Sequence, residues 1–115
     1  MKPSYVNKKG QIVEVDISIH ARRRFAERWA KMFPDKPISG PVDDKISELF
    51  ERSNRVVNLS GREQQRMDRH GKDTIYFRTN GFTFVVQDRC IQTIEISDRG
   101  MRHLNRLPLS ACMPL

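Results

Sequence analysis

Residues 74–96 read TIYFRTNGFTFVVQDRCIQTIEI, and this stretch decides the fold. β-Branched and aromatic residues fill three runs at short intervals, residues 74–78, 82–87 and 91–96. Side chains of this kind fit a pleated, half-buried surface. Thr79-Asn80-Gly81 separates the first two runs, and an Asn-Gly pair supplies the positive φ angles of a tight hairpin turn. Asp88-Arg89 makes the second turn. The expectation is a meander of at least three antiparallel strands. Ile91 and Ile94 cannot both be buried in a strictly alternating strand, so alternation alone does not set the face used by Thr93. Tyr76, Phe77, Phe82 and Phe84 read as alternating core residues, with base stacking by Tyr76 or a Phe as the alternative.

Working towards the N-terminus, Ser18 stands at an N-cap position before a helical pattern over residues 19–32, and Pro34 ends it. At about 100° per residue, Ala21, Phe25, Trp29 and Met32 share the packing side, which predicts a Trp29 buried against the sheet. A second helix reads over residues 42–53, with Val42, Ile46, Leu49 and Phe50 as its apolar stripe. Asp43 and Asp44 complement the dipole at its start. Two N-terminal helices packed on an antiparallel β-sheet make a single α+β domain over residues 1–115. Around this core, residues 1–10 read as a polar tail and residues 99–115 as an irregular one. Residues 12–15 and 55–59 read as short strands, and residues 61–72 as a polar loop or exposed helical turn.

Twenty-one Lys and Arg against fourteen Asp and Glu give a formal charge of +7 and a pI near 9.9. A polyanion is the natural partner of such a chain, and nucleic acid is the first candidate. No long apolar run, signal peptide or lipidation signature points to a membrane, so the expected location is the cytoplasm. Cys90 and Cys112 lack metal-ligand spacing, and there is no phosphate-binding or dinucleotide glycine motif. Neither a metal nor a cofactor is expected.

The first helix carries the sharpest functional signal. Residues 22–31 hold five basic groups, Arg22, Arg23, Arg24, Arg28 and Lys31, and one acid, Glu27. His20, Arg24, Glu27, Arg28 and Lys31 fall on one side. An imidazole beside fixed guanidinium groups is equipment for RNA cleavage without a metal: the base takes the ribose 2′-hydroxyl proton while the cations stabilise charge on the phosphoryl oxygens. The plainer reading of His20 is a capping or packing group, and that of the arginines a solvated face. Thr93 could donate to a phosphate oxygen if it faces His20, or serve simply as a good strand former. His70 is a second candidate, as the acid for the leaving 5′-oxygen, while Arg62, Arg66, Arg69 and Lys72 around it suit backbone contact.

The run Ser18-Ile19-His20-Ala21-Arg22-Arg23-Arg24-Phe25-Ala26-Glu27-Arg28 is followed by a second helix, a hairpin and a last strand with Ile91-Gln92-Thr93-Ile94. It resembles small bacterial and phage domains of the RelE-like type, within the barnase, EndoU, colicin and RelE group. The resemblance covers residues 18–96. It implies helices packed on an antiparallel sheet and metal-independent RNA cleavage that leaves 2′,3′-cyclic phosphate. Carried over residue by residue, it points to His20, Arg24, Arg28 and Thr93. The chain departs from the pattern in its long, charged segment over residues 58–73 and in its extension past the final strand. The expected function is therefore a toxin-like endoribonuclease acting on RNA, with an acidic antitoxin as possible neutralising partner. The alternatives are a noncatalytic nucleic-acid-binding protein and a small protein that binds an acidic surface of a host protein.

Overall fold

The computed structural model describes residues 2–56, 61, 64–65, 74–79 and 81–106. Their order is β1 (Ser4–Val6), β2 (Ile12–Glu14), β3 (Asp16–Ile17), α1 (Ile19–Met32), α2 (Val42–Arg52), β4 (Asn54–Arg55), β5 (Ile75–Thr79), β6 (Phe82–Gln87), β7 (Cys90–Ile96) and α3 (Asp98–Arg106). The class is α+β, and β5, β6 and β7 form the expected antiparallel meander. The sheet as a whole departs from expectation: it has five strands in the order β3-β7-β6-β5-β4 and is mixed. β3 runs parallel to β7, pairing Asp16 with Cys90 and Ile17 with Ile91. A two-residue strand carries no periodicity, so only its contact with β7 reveals it.

Both expected tails contain structure. Residues 1–10 contribute β1, which pairs with β2 from Ser4↔Glu14 to Val6↔Ile12. Asn7 organises the intervening turn, its Oδ1 accepting from the backbone N–H groups of Lys9 and Gln11 at 2.9 Å each, while Gly10 takes a φ of +77°. The hairpin is held down by Tyr5, whose ring lies 5.0 Å from Phe77 and 6.4 Å from Phe50. The expected irregular segment after residue 98 begins as α3. Ser97 caps it, with Oγ accepting from the Gly100 N–H at 3.1 Å and its carbonyl from the Met101 N–H at 2.7 Å. The sequence between residues 57 and 73 that reads as strand end and polar loop lies largely outside the described residues.

The turn between β6 and β7 falls at Asp88-Arg89 as expected, and only the backbone of the turn between β5 and β6 departs from expectation. The left-handed backbone sits at Asp88 (φ 53°) and Arg89 (φ 58°), between paired Gln87 and Cys90, and not at Gly81. Asn80 lies outside the described residues. A Cβ at Gly81 would stand 2.6 Å from the Met32 Cε, the flexible end of that side chain, which would have to shift to admit it.

α1 and α2 cover one face of the sheet. Phe25, Ile46 and Phe50 meet Phe77, Phe82, Phe84, Val86, Ile91 and Ile94 in one buried cluster. A register shift between Val85 and Val86 lets Ile91 and Ile94 both enter it, because Val86 pairs with Ile91 while Val85 pairs with Thr93, leaving Gln92 as the extra residue. Tyr76 is also buried, so the aromatics of β5 and β6 are core residues and not a stacking surface. Trp29 is only partly buried. Its ring packs near Phe25 and Phe82, its Nε1–H donates to the Lys36 carbonyl at 2.6 Å, and the Lys45 Nζ lies 5.1 Å from its ring centre. Among the described residues no helix is long and apolar enough to cross a membrane.

Candidate nucleic-acid interface

α1 begins where the Ser18 side chain joins two elements. Its Oγ accepts from the Ala21 N–H at 2.9 Å and donates to the Gln92 carbonyl at 3.0 Å, which ties the helix start to the bulge of β7. From this anchor the helix packs on β7, with α3 in contact with both. A groove of about 260 Å³ opens between the three elements. Arg24, Arg28 and Lys31 form its α1 wall, and Ile96 and Met101 give it an apolar side.

Two carboxylates, Glu27 and Glu95, also line the groove. Glu27 Oε2 lies 3.4 Å from Arg24 Nη1 and 4.0 Å from Arg28 Nη1, so one exposed carboxylate is shared loosely between two guanidiniums. Arg28 is the more enclosed, with its side chain 24% exposed. Burial, and then the neighbouring charge of Arg24, push its pKa below the ordinary arginine value. Glu27 acts in the opposite direction, and the guanidinium stays charged under all ordinary conditions.

The other expected site residues scatter. His20 is exposed in the first turn of α1, one turn before Arg24 on the same side, but it is not among the groove-lining residues. Arg23 is exposed outside the groove. Arg22 faces α2, where its Nε and Nη2 bond the two Asp43 oxygens at 2.7 and 3.0 Å. That bidentate bond raises its pKa and commits its charge to clamping the helices together. Thr93 pairs with Val85, and strand alternation puts it on the sheet face away from Ile94 and the α1 core. The register does not bring Thr93 and His20 to a common face. Arg62, Arg66, Arg69, His70 and Lys72 lie outside the described residues.

Sequence reasoning missed Glu95, Met101 and the whole of α3, which carries Arg99, Arg102, His103 and Arg106 and brings Met101 to the groove and His103 against Phe33. The signal was present: Ser97 before Asp98, then basic groups spaced three and four apart, is a capped helix with a charged face. Among the described residues no group of three or more His, Cys, Asp or Glu side chains is placed to hold a metal ion. Compared with family models, curated proteins and solved structures, the chain matches none.

Proposed function

We propose that the protein binds the sugar–phosphate backbone of nucleic acid in the groove between α1 and α3. The observation that carries this reading is the convergence of Arg24, Arg28 and Lys31 on one groove wall. The net charge of +7 adds long-range attraction for a polyanion. A cytoplasmic setting, where RNA is abundant, suits this reading. The test is titration of fluorescent RNA at several salt concentrations. The affinity should fall steeply with salt, and Arg24→Ala with Arg28→Ala should reduce the slope by about one counterion per lost contact. A slope equal to that of the unmodified protein would remove this groove as the binding surface.

A second reading, RelE-like endoribonuclease, rests on His20 standing one helical turn from Arg24 on the same side. It is tested by incubating purified protein with mixed RNA in EDTA. Fragments ending in 2′,3′-cyclic phosphate support it, and intact RNA in all buffers leaves binding alone.

A further inference from the structure

Four rings form a ladder from the core to the solvent at the junction of α1 and α3. Phe82, buried in the sheet, lies parallel to Trp29 at 6.1 Å and 9°. Trp29 meets Phe33 at 4.5 Å, and Phe33 meets His103 of α3 at 5.6 Å. Phe33 is half-buried and His103 exposed. The outermost ring thus touches Phe33 at a tilt of 38°, is linked through it to Trp29 and Phe82, and belongs to an exposed residue.

The chain around this ring pair is rich in basic residues: Lys31 and Lys36 bracket Phe33, and Arg102 and Arg106 stand one before and three after His103 on α3. The groove, whose α1 wall ends at Lys31 two residues before Phe33, adds Ile96 and Met101, the latter 38% exposed. Cations alone suit any polyanion. A supported exposed ring beside them suits one whose bases have open faces.

Resting on the backbone-binding reading above, we infer that this surface takes single-stranded nucleic acid, with phosphates on Arg24, Arg28 and Lys31 and an unstacked base on His103. A duplex keeps its base faces inside its own stack, so it engages the cations and leaves the ring unused. A single strand engages both, and base–aromatic stacking adds affinity with little sequence preference.

The test uses the full chain, a labelled oligouridine of about 20 nucleotides and a duplex of equal length, a span chosen to exceed one single-strand site. Trp29, the only tryptophan, reports on the ladder. The single strand should bind more tightly than the duplex and change the Trp29 emission. His103→Ala should weaken oligouridine binding about five- to a hundredfold at an unchanged salt slope, while His103→Phe restores it. Equal binding of both probes, or oligouridine binding by His103→Ala at the unmodified level, would overturn the single-strand assignment and leave the phosphate groove standing. Failure of Phe to rescue would do the same, because it would make the contribution one of charge. Loss of binding to both probes in the unmodified protein would overturn both readings together.

Discussion

Gly100 of α3 rests on the backbone of Gly81 in the β5–β6 turn. A Cβ at Gly100 would collide with the Gly81 carbonyl oxygen and stand 2.8 Å from Ile96 Cγ2 and 3.0 Å from Gly81 Cα. That carbonyl also accepts the Ser97 N–H at 2.9 Å, so the cap of α3 and the turn share one contact. This close approach sets the position of the third element of the groove.

Gly100→Ala is therefore expected to destabilise the fold by about 1–3 kcal/mol through overpacking, although alanine is intrinsically the better helix former by about 1 kcal/mol. Urea unfolding measures it. A stabilised variant would show that the contact between the glycines yields at no cost.

At the β6–β7 turn, Asp88 and Arg89 both hold positive φ. The left-handed region crowds the arginine Cβ and costs roughly 1–2 kcal/mol, a cost glycine avoids. Arg89→Gly should raise the thermal midpoint, since the backbone bond from the Asp16 N–H to the carbonyl of residue 89 is kept. A lowered midpoint would count against strain at this turn.

The arginines of α1 should separate by role. Arg22→Ala and Asp43→Asn should each weaken the α1–α2 contact, read as a lower unfolding midpoint, and leave the salt slope of RNA binding as it was. Arg24→Ala should do the converse, lowering the slope by about one with little change in stability. If Arg22→Ala alone flattened the slope, Arg22 would be a phosphate contact despite its bond to Asp43.

For the cleavage reading, His20→Ala should lower the rate by roughly 10²–10⁴ with RNA affinity nearly unchanged, the pattern of a lost proton-transfer group. Cleavage at the unmodified rate, in protein freed of host nucleases, would dismiss His20 and direct attention to His70.

Cys90 gives a pH signature. Burial, and then the nearby charge of Asp16, raise its thiol above the ordinary value of 9.0. Below that value both folded and unfolded chains carry the thiol, and the stabilising contribution is fully present. As pH rises through it, the unfolded chain ionises first, so the contribution is lost. Stability should fall above about pH 9, and Cys90→Ala should remove part of that fall. An identical pH profile in the variant would mean that Cys90 ionises in the fold as freely as out of it.

The elements set by short-range physics were legible in the sequence: the Ser18 cap, the apolar stripes of α1 and α2, and the three-strand meander each repeat within a few residues. So was the basic character of α1. What tertiary structure alone decided were relations between distant residues. Arg22 and Arg24 are the same residue type two positions apart, and only Asp43, 21 positions beyond Arg22, makes one a clamp while the other lines a groove. The parallel placement of β3, the bulge that seats Ile91 beside Ile94, and the approach of Gly100 to Gly81 likewise leave no local pattern. Periodicity records which side of an element is apolar. It does not record which other element that side will meet, because that depends on closing the chain around a shared core.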